Sequence, residues 1–187
     1  MKTVFAFLYV LLSLLFLIYT GLPLVDFPSD IAAALQSKEP ADIETSLRRA
    51  YFTNALRAEV VEHYRTTMSQ GNFGLIMPTM RFNYPPEEAQ SVIRDQTRSS
   101  YLEEIVIPFR QSLYINGFEP KEQKDAIIVE SRPWKAKVTV KLVQSESWAR
   151  LVSAFGTIII LPVLFFAWKN TLNASWLMLK EKKWTFR

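Results

Sequence analysis

The stretch ARLVSAFGTIIILPVLFFAWKN (residues 149–170) holds 18 uncharged residues between Arg150 and Lys169. A helix rises about 1.5 Å per residue, so such a run reaches roughly 27 Å, close to the roughly 30 Å of a hydrocarbon core. Further out, TVFAFLYVLLSLLFLIYTGLPLV (3–25) is also free of charge. The chain averages conceal this: mean hydropathy is only +0.06 because charged residues crowd the middle. That middle is too small to enclose two helices apolar on every side. Both runs therefore read as transmembrane helices, over 3–25 and 150–169, flanking a domain at 26–149 and followed by a basic amphipathic tail at 170–187. The first run exceeds the usual apolar stretch of a cleaved signal peptide, so it reads as retained.

Charge orients the spans. Lys2 contributes +1, and Lys169, Lys180, Lys182, Lys183 and Arg187 against Glu181 contribute +4, which leaves −1 for the middle of a chain whose net charge is +4. Basic short ends and a neutral long loop are the pattern of cytoplasmic termini and a translocated middle. The expectation is an integral protein of a bacterial plasma (inner) membrane with residues 26–149 in the periplasm. Arg150, at the mouth of the second span, is expected to snorkel to the interface. Trp168, Lys169, Trp176, Lys180, Lys182, Lys183 and Trp184 are expected to act as interface anchors, with Leu172, Trp176 and Leu179 on one stripe of a short helix in the headgroup layer.

The second span is not a plain anchor. Ser153, Ala154 and Gly156 are small residues of the kind that let helices approach closely, and Pro162 leaves a carbonyl that a neighbour must satisfy. Ser153, Gly156 and Pro162 are therefore the helix-packing candidates, against the first span or a partner's helix.

For the domain the patterning suggests an α+β fold of order α-β-α-β-β, with its helices on one face of a small antiparallel sheet. A helix is expected from Pro40 to Ser69, although its two apolar stripes (Ile43, Leu47, Ala50 and Phe52, Leu56, Val60, Tyr64) are out of phase. A strand follows up to Tyr84, with Pro78 confining it to a sheet edge. Pro85-Pro86 would open a long helix carrying Leu102, Ile105, Phe109 and Leu113, kinked at Pro108 and stopped at Asn116-Gly117. AIIVE (126–130) and WKAKVTVKLV (134–143) read as a hairpin, with Ala136, Val138, Val140 and Leu142 alternating against Lys137, Thr139 and Lys141.

Candidate chemistry is sparse. Cysteine is absent, which excludes disulfides and thiolate metal sites. His63, the one histidine, lies near Glu59 and Glu62, but the spacing fits neither an inverzincin nor a di-iron motif. Glu87-Glu88 and Glu103-Glu104 are adjacent pairs that on a helix would diverge by about 100° and read as solvated faces. Lys135, Lys137 and Lys141 form a basic row that reads as the wet face of a sheet, or else as a contact for anionic lipid. There is no framed nucleophile and no glycine-rich phosphate loop. A domain of net −1 has no footprint for nucleic acid. No Asp, Glu, Lys, Arg or His lies inside either span, which disfavours transport by the chain alone. These absences point away from an enzyme, and no cofactor is expected. The function expected is that of a non-catalytic accessory or assembly subunit of a membrane complex. Its partners would be other membrane proteins, a second copy of the chain among them, and membrane lipids. The alternative is an envelope sensor or ligand-binding module acting through a partner.

Overall fold

Between two long apolar terminal helices the chain builds a mixed α+β domain around a six-stranded antiparallel sheet. The computed structural model describes residues 2–71, 74–93 and 98–184; the side chains of Lys2, Leu177, Leu179 and residues 180–184 fall outside that description. The chain divides into two compact units, Met1–Leu22 with Glu146–Arg187, and Pro23–Ser145.

The first unit is an antiparallel helix pair, α1 (Lys2–Gly21) and α4 (Ser147–Trp184). At 1.5 Å per residue they measure roughly 30 and 57 Å. Both contain stretches long and apolar enough to cross a membrane, Thr3–Gly21 and Ser147–Trp176, of which only 6% is buried in each case. The shared seam is narrow. Within it Ser13, Phe16, Leu17, Tyr19 and Thr20 of α1, and Arg150, Leu151, Ala154, Gly156, Ile158 and Pro162 of α4, are buried or half-buried, mostly at the three-and-four spacing of one helix face. The helical run continues through Pro162 and past residue 170, so that among the described residues the tail forms part of α4 and not a separate short helix.

In the second unit the strands are β1 (Leu35–Gln36), β2 (Arg48–Thr53), β3 (Met80–Tyr84), β4 (Tyr101–Ile107), β5 (Gln111–Phe118) and β8 (Ala136–Gln144), ordered β1-β2-β8-β5-β4-β3. β6 (Ile127–Val129) and β7 (Arg132–Trp134) form a separate two-stranded hairpin. Its two-residue turn puts both Glu130 and Ser131 at positive φ, the geometry that matches the twist of the flanking strands. Helices α2 (Arg57–Ser69) and α3 (Ala89–Ile93) complete the unit.

Several expectations are corrected here. Residues 40–69 are not one helix. A single 3₁₀ turn at Pro40–Asp42 leads to strand β2, and the helix begins only at Arg57. The break is chemical: Thr53 Oγ1 accepts from the Ala55 N–H (3.1 Å), and Glu59 reaches back to the Leu56 N–H (2.7 Å). The two out-of-phase stripes thus belong to different elements. Residues 86–117 are likewise not a long helix. Among the described residues they form a 3₁₀ turn at Pro86–Glu88, the short helix Ala89–Ile93 and then the β4–β5 hairpin, in which Pro108 begins the turn and Asn116-Gly117 lie inside a strand. The 126–143 hairpin is also revised, because 127–129 pair with 132–134 and β8 runs instead between β2 and β5.

The two domain helices lie on opposite faces of the sheet rather than on one. Register places Tyr101, Glu103 and Ile105 on one face with Ile115, Leu113 and Val140, and α2 packs there with Val60, Val61, Tyr64 and Met68 buried. On the other face Leu102 is enclosed by Ala89 and Ile93 of α3, with Tyr84, Val92 and Tyr114 at the margin. Each such apolar side chain contributes about 1.5–3 kcal/mol when fully buried.

Candidate functional site

The chain's most distinctive chemistry lies along the helix pair. α1 cannot continue beyond Gly21 because Pro23 follows, and its last carbonyls need donors from elsewhere. Arg150 supplies them: Nε donates to Thr20 O (2.9 Å) and Nη2 to Leu22 O (3.4 Å) and Ser147 Oγ (3.3 Å). Its side chain is 5% exposed, so it turns inward instead of snorkelling outward. A guanidinium at a helix C-terminus is favoured both as a donor and by the helix dipole.

Twelve residues further along α4, Pro162 lacks the N–H that would bond to Ile158 O. The Tyr9 hydroxyl of α1 donates to that carbonyl. Pro162 is half-buried on the seam. Ser153 is exposed, and a Cβ built on Gly156 meets no atom within 4 Å. The small residue at the contact is Ala154, 1% exposed. Of the three packing candidates, Pro162 and Gly156 are thus half-buried and Ser153 is exposed.

Beyond Pro162 the described side chains of α4 are exposed. Leu161, Leu164, Phe165, Ala167, Trp168 and Thr171 line a shallow apolar groove of ≈590 Å³. Trp168 and Trp176 are exposed, as is Lys169. The expected anchors Lys180, Lys182, Lys183 and Trp184 lie outside the described side chains. Sequence reasoning missed Trp148, 68% exposed at the start of α4. Twenty residues separate it from Trp168, about 30 Å along a helix. That spacing was visible in the sequence once Trp148 was placed in the helix.

In the domain, Glu103 and Glu104 are not solvated. They sit in a strand, 0% and 6% exposed, and point to opposite faces. Arg81 forks onto Glu103 through Nε (2.7 Å to Oε2) and Nη2 (2.7 Å to Oε1), and Arg57 bonds it from the N-terminus of α2. Burial pushes the Glu103 carboxyl up, but the bonds and charges of Arg81 and Arg57 outweigh it and hold the pKa below the usual range. On the far face Tyr84 donates to Glu104 at 2.5 Å, which, with burial, lifts that phenol to about 12. Both carboxylates are thus committed to structure. Two of the three lysines of the row are engaged as well: Lys137 binds Asp42 (2.7 Å) and Glu39 (2.8 Å), and Lys141 donates to Val92 O (2.8 Å), while Lys135 is exposed. His63 is half-buried with Nε2 3.0 Å from Ser29 O. Among the described residues no three His, Cys, Asp or Glu side chains converge as a metal site. An open, mainly polar cleft of ≈500 Å³ lies against Glu87, Gln90, Arg98, Ser99 and Glu119.

Comparison of the sequence with family models and curated proteins, and of the structure with solved structures, returns no match.

Proposed function

We propose that α1 and α4 span a bacterial plasma membrane, with both termini cytoplasmic and the Pro23–Ser145 domain outside. On this reading the protein is a non-catalytic accessory or assembly subunit of a membrane complex, and it holds other membrane proteins by the outer face of α4. The observation that carries the reading is how little of α4 its own chain covers. α1 shields one seam, and the apolar groove beyond Pro162 is left open. In water so large an apolar surface would drive association, whereas in a bilayer it is lipid-facing or partner-facing surface. The Trp148–Trp168 spacing supports a crossing between two interfacial belts.

Gly156 provides the test. Because a Cβ there meets no atom within 4 Å, Gly156→Leu should leave folding and abundance unchanged. If α4 packs closely on a partner's helix, the same change should reduce co-purification of that partner in mild detergent. Unchanged recovery, combined with normal assembly after replacement of 151–168 by a Leu/Ala helix, would reduce the second span to an anchor.

The polar cleft beside Arg98 and Ser99 favours the second reading, an external ligand-binding module that signals through a partner. Saturable binding of a small anionic or polar ligand that is lost in Arg98→Ala would favour it over the first.

A further inference from the structure

We propose that Phe109, at the tip of the β4–β5 hairpin, inserts into the headgroup layer of the bilayer and gives the domain a membrane contact of its own. The inference rests on the reading of α1 and α4 as membrane spans, but not on which side the domain occupies.

The hydrogen bonds around the turn fix its position. The chain enters the domain at Pro23 and leaves it at Ser145, each the neighbour of a helix-pair residue. Arg110, the residue after Phe109, is tied to both points. Its Nη2 donates to Pro23 O, and its carbonyl accepts from Ser145 N (3.3 Å) and Ser145 Oγ (2.5 Å). Gln111 adds a pair of bonds to Val25, accepting from its N–H (2.9 Å) and donating to its carbonyl (3.0 Å). If the helices span the membrane, the entry and exit points lie at its surface, and the turn lies there with them.

The turn itself is unusual. Arg110 N–H closes onto Ile107 O at 3.1 Å, with Pro108 and Phe109 at the two corners. Phe109 has φ +61°, the left-handed region that this corner reserves for glycine or asparagine. Its ring is 63% exposed, while Ile107 and Arg110 on either side are 0% and 2% exposed. Most of the ring is therefore left to its surroundings although the backbone is strained. Lipid contact supplies the burial that the domain does not. The second row of the sheet from the turn adds exposed apolar side chains, with Met80 (54% exposed) paired to Val106 and Val143 (41% exposed) paired to Ser112. An aromatic at the headgroup level is the usual interfacial anchor.

The test uses the absence of cysteine. Full-length Phe109→Cys, Ile128→Cys and Phe166→Cys proteins are each labelled with NBD and reconstituted into phosphatidylcholine vesicles, part of whose lipid carries a nitroxide near the ester end of the acyl chain. Ile128 is the control, because β6 and β7 precede the end of β8 opposite to the turn. The label at 109 should be quenched severalfold more strongly than that at 128. A 109 label quenched no more than 128, with 166 quenched, overturns this inference and leaves the spans standing. An unquenched 166 label removes the spans and the inference with them. A second measurement avoids a probe at the tip: in Phe109→Gly, which suits the left-handed corner, a label at Met80→Cys should lose most of its lipid quenching relative to the same label beside Phe109. Equal quenching in the two backgrounds also overturns the proposal.

Discussion

Tyr9 of α1 donates its hydroxyl hydrogen to Ile158 O of α4, the carbonyl that Pro162 deprives of its intrahelical donor. A helix-breaking residue and a distant tyrosine thus form one device. Without Tyr9, a bare carbonyl would face an apolar seam, and without Pro162, Tyr9 would compete with a backbone N–H.

The coupling is measurable. Tyr9→Phe should destabilise the helix pair by about 0.6–2 kcal/mol, the range of hydrogen bonds between membrane helices. In a Pro162→Ala background the same change should cost close to nothing, because the backbone N–H restored by that substitution then serves Ile158 O. SDS-driven unfolding in mixed micelles would measure all four proteins. Equal costs in both backgrounds would mean that the tyrosine does not serve the proline.

Glu103 should be the chief acid-sensitive group of the domain. Its folded carboxyl is held below the usual range by Arg81 and Arg57. Its stabilisation is therefore complete above the ordinary carboxyl pKa and is lost as pH falls through the depressed folded value. Both arginines are more than a third exposed, so they regain water when the pair is broken. That discounts the loss in Glu103→Gln at neutral pH to about 1–3 kcal/mol, below the usual range for breaking a fully buried pair. The variant should also show a flatter acid limb in denaturant titrations repeated across pH. Parallel pH curves for variant and parent would contradict this assignment.

Gly117 exists to admit an aromatic ring. A Cβ there would lie 2.1 Å from Cε1 and Cζ of Tyr101, its cross-strand partner, which is 3% exposed with the Arg57 guanidinium 4.9 Å over its face. Gly117→Ala should destabilise the domain by about 1–3 kcal/mol through overpacking. In a Tyr101→Leu background the penalty should shrink, giving a clear coupling energy in a double-mutant cycle. Additive losses would separate the two residues.

These pairs explain what could be read in the sequence. The two apolar helices were legible because eighteen or more uncharged residues outweigh every local signal. β8 was half legible: its apolar alternation was real, but Thr139 is buried too and the strand pairs with β2 and β5 rather than with its neighbour. The β4–β5 hairpin was illegible as strands because Glu103 and Glu104 are both buried. A doubly buried strand loses its alternation, and two adjacent carboxylates imitate a solvated helix. Leu102, Ile105, Phe109 and Leu113 then fall at helical spacing by coincidence, although they span two strands and a turn. Asn116-Gly117 resembled a helix stop only because the ring over Gly117 comes from another strand. Pairings of that kind leave no local trace. In the helix pair, the role of Pro162 could be anticipated from its chemistry, whereas the inward turn of Arg150 depended on where α1 ends.

The central claim, that the chain crosses a membrane twice with its domain on the far side from its ends, is tested most directly by the accessibility of two single cysteines. Lys124 and Ser175 are both exposed, the first in the domain and the second in α4 beyond Lys169, which ends the uncharged run 151–168. In intact cells an impermeant thiol reagent should label Lys124→Cys and spare Ser175→Cys, which should react only after permeabilisation. Labelling of 175 with protection of 124 would place the domain in the cytoplasm, and the same response at both positions would show that the chain does not separate them across a bilayer.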